Sequence, residues 1–234
     1  MSAASANKRQ IPQLIVALDV DTLAEAAAMV DALYPTVKIF KVGFQLFTGC
    51  GPEIIKVIRA KKAEVFLDLK FFDIPNTVAH ALRQVTQMQV KMLTLHILGD
   101  EEMLRGAVEA AREESARTNV ARPLLIGVTV LTSKEANPKE VLFLAKIGIE
   151  SGLDGVVCSV REARLLRQEI KKDFVIVTPG IRPKTAAAND QKRVASVEDA
   201  AEAGSNFIVV GRPILEAKEP IQVASEIVKA CEGG

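Results

Sequence analysis

Eight apolar runs, each followed by a segment of helical periodicity, predict an α/β chain with a parallel sheet, closed as a single-domain (β/α)8 barrel, the TIM-barrel architecture. Two further observations select the barrel over a doubly wound open sheet. The chain has 234 residues and no Gly/Ser-rich linker, which suits one barrel. Polar side chains also fall at the C-terminal ends of many different strands: Asp19, Lys41, Asp68, Lys70, His96, Thr132, Arg182 and Arg212. A barrel brings those ends to one mouth, where active sites of this architecture sit, whereas an open sheet leaves several of them far apart.

The first strand lies in Ile11 to Val20, where Leu14 to Leu18 is apolar on both faces, as a strand of a covered parallel sheet should be. Thr22 and Glu25 form a capping-box pattern, and Leu23, Ala26, Ala27 and Val30 repeat at helical spacing. Val37 to Gly43 is the second strand, and one helix with Ile54, Val57 and Ile58 on a face follows it. The third strand, starting at Glu64, climbs through Val65, Phe66 and Leu67 into Asp68, Lys70 and Asp73 before Pro75 opens a helix to about Met88. Met92 to Ile97 is the fourth strand, and Asp100 caps a charged helix from Glu101 to about Arg117. Leu124 to Val130 is the fifth strand, and Val141 to Gly148 is helical. Gly155 to Cys158 is the sixth, followed by a second capping box at Ser159 and Glu162. Phe174 to Val177 is the seventh, and Pro183 to Arg193 is a polar loop without periodicity. Ser196 caps a short helix, Asn206 to Val210 is the eighth strand, and a last helix aligns Ile221, Ala224, Val228 and Cys231. Residues 1–10 read as a polar extension and 11–234 as the barrel.

Composition narrows the function. Thirty basic residues against 29 acidic ones leave a formal net charge of +1, so there is no electrostatic reason to expect nucleic acid or an anionic membrane as partner. Aromatics are 4 % with no tryptophan, which argues against base-stacking platforms. Cys50, Cys158 and Cys231 are far apart and odd in number, and with only His80 and His96 to join them no metal-ligand spacing appears. They read as reduced core thiols of a cytoplasmic protein. No apolar run approaches a membrane span, and the polar start is unlike a signal peptide.

The chemistry-bearing stretch is Asp68 to Thr77. Side chains alternate along a strand, so Asp68 and Lys70 should share a face. Asp73 follows closely enough to reach the same mouth, its own or a neighbour's, and Lys41 ends the adjacent strand. The plain alternative is an ion-pair cluster closing the barrel top. Four charges of alternating sign are expensive to desolvate, however, and such a network more often marks a site. Neighbouring carboxylates favour a charged lysine, so Lys70 reads as a proton donor and not a Schiff-base nucleophile. Arg182, Gly211 and Arg212 follow the seventh and eighth strands, the usual phosphate site of the fold, unless the arginines are solvated surface groups. Asp19 is a ligand for sugar hydroxyls or a helix cap. Thr132 and Ser133 are hydrogen-bond donors or caps. His96 reads as a satisfied barrel-end histidine.

Together these residues resemble the orotidine 5′-phosphate decarboxylase family. The resemblance rests on Asp68-x-Lys70-x-x-Asp73 extended by Ile74-Pro75-Asn76-Thr77. It is supported by Ala-Leu-Asp19, Lys41-Val-Gly43, Leu131-Thr132-Ser133, Thr178 to Arg182, Asp190-Gln191, and Val210 to Ile214. It implies a homodimeric barrel that converts orotidine 5′-phosphate to UMP and CO₂, the last step of UMP biosynthesis, without metal or organic cofactor. Lys70 would protonate C6, Asp68 would sit by the substrate carboxylate, and Asp73 would come from the partner subunit, with Ile74 to Thr77 beside it. Asp19 and Lys41 would hold the ribose hydroxyls, and Thr132 the pyrimidine. Arg182, Gln191, Gly211 and Arg212 would grip the phosphate under a loop from Pro183 to Lys192. The chain departs from the family pattern at His96 to Asp100 and at Ala195 to Val197. Two rivals remain. The Mg²⁺-dependent 3-keto-L-gulonate 6-phosphate decarboxylases and hexulose phosphate synthases share Asp-x-Lys-x-x-Asp but carry an acidic residue where Lys41 stands and lack Ile-Pro-Asn-Thr. A non-catalytic nucleotide-binding barrel would bind without turnover.

Overall fold

A computed structural model of the chain describes residues 11–131, 137–182 and 195–233. Eight parallel strands close into a barrel in chain order: β1 (Gln13–Ala17), β2 (Ile39–Gly43), β3 (Glu64–Phe71), β4 (Met92–His96), β5 (Leu124–Val128), β6 (Gly155–Val157), β7 (Val175–Pro179) and β8 (Phe207–Val210). β8 returns to β1 with Val16 opposite Val210, which completes the ring.

The apolar runs bury both of their faces. Ile15, Ile39, Phe66, Met92, Ile126 and Val177 point inward and pack the barrel's lumen. Their neighbours Leu14, Val16, Phe40, Leu67, Leu93 and Leu125 point outward into the layer between sheet and helices. Period-two alternation therefore divides each strand between two apolar environments, and this is why the runs read as continuous rather than alternating.

The helices begin where their caps stand. α1 (Leu23–Leu33) starts on a reciprocal box in which Thr22 Oγ1 accepts from Glu25 N at 3.2 Å and Glu25 Oε2 accepts from Thr22 N at 3.0 Å. The helix expected after β2 is two helices, α2 (Phe44–Cys50) and α3 (Glu53–Ala60). Gly51 ends the first at a φ of 59°, and Pro52 has no N–H with which to continue it. α4 (Pro75–Gln87) has its proline in the first turn, as predicted. A 3-10 turn at Ile97–Gly99 leads into α5 (Asp100–Thr118), so Asp100 is the first residue of the helix with Gly99 before it as the cap, though Asp100 Oδ1 still accepts from Met103 N at 2.8 Å. α4 and α5 are clamped by Gln87 Nε2, which donates to Glu114 Oε1 at 2.6 Å. α6 (Pro138–Glu150), α7 (Val160–Glu169), α8 (Val197–Glu202), a single turn α9 (Arg212–Leu215) and α10 (Pro220–Glu232) complete the outer ring. α9 was not foreseen. No described helix is long and apolar enough to cross a membrane.

The N-terminal ends of the strands are closed by one-to-one pairs. Lys91 Nζ meets Glu64 Oε2 at 2.6 Å. The Arg122 guanidinium forks onto Asp154, whose Oδ2 also accepts from Leu125 N at 2.7 Å. A cleft of about 410 Å³ lies here, lined in part by Gln13, Lys38, Glu64 and Lys91. It is larger than the cavity at the opposite mouth, but among its described lining residues no φ is positive and no carboxylate is shared between two cations.

Candidate active site

At the C-terminal mouth a single carboxylate organises the charges. Asp68 Oδ1 accepts from Lys70 Nζ at 2.9 Å, and Asp68 Oδ2 lies 3.8 Å from Lys41 Nζ. Lys41 Nζ also donates to Asp19 Oδ1 at 3.2 Å. The row therefore runs Asp19, Lys41, Asp68, Lys70 with alternating sign. Its outer carboxylate is the most open, 46 % exposed, while the inner Lys41 and Asp68 side chains are 13 % and 15 % exposed. The ammonium of Lys70 also lies 5.8 Å from the centre of the Phe44 ring, a contact not visible in the sequence.

Asp68 and Lys70 do converge, but plain strand alternation is not the reason. Lys70 has a φ of 45°, in the left-handed region that a lysine adopts only at a cost of about 1–3 kcal/mol. The strand pairing slips at the same point. Between Leu67↔Leu93 and Phe71↔Leu95, β3 advances four residues while β4 advances two. Asp68, Leu69 and Lys70 thus stand across from the single Thr94. Thr94, fully buried, accepts the Lys70 N–H at 2.8 Å and donates to Asp68 Oδ1 at 2.9 Å. Sequence reasoning missed it. The available signal was a hydroxyl in the otherwise apolar run Met92-Leu-Thr-Leu95, because a buried hydroxyl needs partners.

The row forms one side of a cavity of about 170 Å³. Lys41, Asp68 and Lys70 face Val128, Val130, Leu131, Val157, Val177, Pro179 and Val209 across it. The cavity has one charged wall and one apolar wall, which suits a flat ligand carrying charge on one edge.

The remaining expected residues distribute unevenly. Asp73 makes no ion pair with this row among the described residues; it is exposed, and its Oδ1 accepts from the N–H of Ile74 at 2.7 Å. Ile74 and Asn76 to Thr77 are exposed beside it, with Pro75 half-buried. Gly211 joins the site from β8: a Cβ there would lie 3.3 Å from Asp19 Oδ2, so glycine keeps the carboxylate's surroundings open. Arg212 is exposed, whereas Arg182 is buried, 7 % exposed, and so is no solvated surface arginine. Asp19 pairs with Lys41 and leaves the capping of α1 to Thr22. Thr132, Ser133 and Gln191, and the loop from 183 to 193, lie outside the described residues.

His96 is not the satisfied histidine expected. Its Nδ1 is buried without a partner among the described residues, and its ring lies 5.8 Å from that of Phe72. Burial, assisted by the Lys70 ammonium, holds its pKa below the usual histidine range. Cys158 and Cys231 are core thiols as expected, while Cys50 is half-buried and donates to Leu46 O. Burial pushes the Cys231 thiol up to about 11 and the Cys158 thiol higher, so neither is a nucleophile near neutrality. Among the described residues no three of His, Cys, Asp and Glu converge as a metal site.

The model of the orotidine 5′-phosphate decarboxylase / HUMPS family matches residues 12–227. The chain belongs to that family. Three relatives of this chain are named for one reaction. An orotidine 5′-phosphate decarboxylase of Syntrophotalea carbinolica is 46 % identical over 228 residues, covering 93 % of both chains. One of Hydrogenovibrio crunogenus is 48 % identical over 227 residues, covering 92 % of this chain and 94 % of the relative. The crystal structure of orotidine 5′-phosphate decarboxylase from Lactobacillus acidophilus superposes with a TM-score of 0.83 at 34 % identity, over 95 % of this chain and all of that one.

Proposed function

We propose that this chain decarboxylates orotidine 5′-phosphate to UMP and CO₂, the final step of UMP biosynthesis, with Lys70 delivering the proton to C6. The observation that carries this reading is the placement of the Lys70 ammonium 2.9 Å from the shared carboxylate of Asp68, on the charged wall of a cavity whose opposite wall is apolar. The pyrimidine packs on the apolar wall. Its carboxylate lies toward Asp68, so the two negative groups repel in the ground state, and the repulsion falls as CO₂ departs. The electron pair left on C6 meets a fixed ammonium, which stabilises it as it forms and then protonates it.

Other groups hold the substrate away from the reacting carbon. Asp19 and Lys41 take the ribose hydroxyls, and Thr132 takes the pyrimidine edge. Arg182, Gln191, Gly211 and Arg212 hold the phosphate, and residues 183–192 close over it, so that remote binding energy is used at C6. The active form is a cytoplasmic homodimer in which Asp73, flanked by Ile74 to Thr77, completes the partner's site. Two features support that assembly. Asp73 stands outside its own row, and Phe72, Ile74 and Leu98 are 60 %, 66 % and 59 % exposed around it, an apolar surface that a second copy would cover.

The test follows loss of the ultraviolet absorbance of orotidine 5′-phosphate with and without EDTA. Turnover that survives EDTA supports the metal-free lysine site. Turnover abolished by EDTA and restored by Mg²⁺ would place the chain with its Mg²⁺-dependent relatives, and UMP binding without turnover would make it a non-catalytic barrel.

A further inference from the structure

We infer that Thr94 is a positioning residue for the reaction: its hydroxyl fixes both the backbone turn that aims Lys70 and the rotamer of Asp68 that receives the ammonium. The inference rests on the decarboxylase reading above. The direction of both hydrogen bonds follows from chemistry alone. The Lys70 backbone N–H can only donate, so Thr94 Oγ1 accepts it at 2.8 Å. The hydroxyl's own proton is then free, and the nearest acceptor is Asp68 Oδ1 at 2.9 Å, a carboxylate that in its ionised form only accepts. No other orientation of the hydroxyl satisfies both neighbours.

The geometry explains why this hydroxyl matters. The three-residue span Asp68 to Lys70 bulges opposite Thr94, and Lys70 sits there with a φ of 45°. Within this bulge the Lys70 N–H has lost its regular ladder partner and takes the side chain instead. Asp68 Oδ1 receives Lys70 Nζ at the same distance, 2.9 Å, as it receives the Thr94 hydroxyl. One side chain thus holds the lysine at its main chain and the lysine's counter-ion at its carboxylate. Thr94 itself is rigid: it is fully buried, β-branched, and paired through β4 to Ile126 of β5. It touches neither the cavity nor the reacting atoms and acts only through Lys70 and Asp68.

The experiment compares Thr94→Val, which keeps the shape and removes the hydroxyl, with Thr94→Ser, which keeps the hydroxyl. Thr94→Val should lower kcat for orotidine 5′-phosphate by about 10²-fold, the scale of a small misplacement of a reacting group. KM should move by less than about threefold, because the groups that bind ribose and phosphate are untouched. Thr94→Ser should restore most of the loss. Thr94→Cys, with a weaker donor at the same place, should fall between them, and it carries the test if the valine variant does not fold: a serine-like rate from it would then overturn the inference. A valine variant with wild-type kcat overturns it. So does a loss shared equally by valine and serine, or a loss of folded protein with kcat per folded site unchanged. Wild-type enzyme run alongside separates two failures. If it does not turn over, the reaction reading and this inference both fall; if it does and Thr94→Val matches it, only the positioning role falls.

Discussion

The two ends of β3 carry the same kinds of side chain and use them in opposite ways. At the start, Glu64 meets Lys91 at 2.6 Å, and nearby Asp154 takes the fork of Arg122 together with the N–H of Leu125. Each of these four charges has its own partner, and none of the four residues has a positive φ. At the other end, Asp68 serves Lys41, Lys70 and Thr94 at once, and Lys70 is held in the left-handed region. A carboxylate shared between two ammonium groups on strained backbone is a poor way to stabilise a barrel. It is a good way to keep a proton donor oriented before the substrate arrives. The difference between closed pairs and shared charges, more than the presence of charge, distinguishes scaffold from site in this molecule.

The largest loss is expected at Lys70. Lys70→Ala should lower kcat by about 10⁴-fold or more while UMP binding, followed by calorimetry, is largely kept; turnover near the wild-type rate would return this row to the status of a plain ion-pair cluster. Mixed subunits test the contribution of Asp73 to the partner's site. Lys70→Ala and Asp73→Asn proteins, each inactive alone, should recover about a quarter of wild-type activity after co-refolding, since half the random dimers carry one intact site. No recovery would leave Asp73 without a role across the interface.

The other end of the barrel should answer in stability, not rate. Arg122→Ala strands a carboxylate that is 19 % exposed and should cost about 2 kcal/mol, lowering Tm by about 6 °C with kcat unchanged. Glu64→Gln opens a pair whose carboxylate is 47 % exposed and should cost only about 0.5 kcal/mol in denaturant titrations. The smallest effect is at His96. Its folded pKa is depressed by burial below the ordinary 6.5, so neutral His96 contributes stability that is full above that value and is lost as pH falls through the folded pKa. Its imidazole resonances should titrate below the usual histidine range, and a midpoint at or above 6.5 would contradict the buried environment.

What the sequence made legible follows from the range of the forces involved. The eight strands were readable because burial on both faces leaves an uninterrupted apolar signal, as in Leu14 to Leu18. The caps at Thr22 and Ser159 were readable because both partners lie within four residues. Lys41, Asp68 and Lys70 were readable as charges where a buried strand should have none. The bulge at Lys70 was not, because it is imposed by the register of β4 and no residue of β3 announces it. Thr94 was signalled only as a lone hydroxyl in an apolar run, and its partners, 24 and 26 residues away in sequence, were hidden. Gly51-Pro52 does mark a break, yet the periodic apolar face of Ile54 and Ile58 signals one helix, and α2, with Leu46 as its buried residue, gives no comparable signal.

The bulge has a consequence for engineering. Asp-x-Lys is not a self-contained cassette. Grafted onto a strand of another barrel, it would supply the ammonium and the carboxylate but not the angle between them, because that angle is held from the next strand by a buried hydroxyl at Thr94. A transplant that copies β3 alone should therefore yield an ordinary ion pair. The smallest portable unit is two adjacent strands with their staggered pairing preserved.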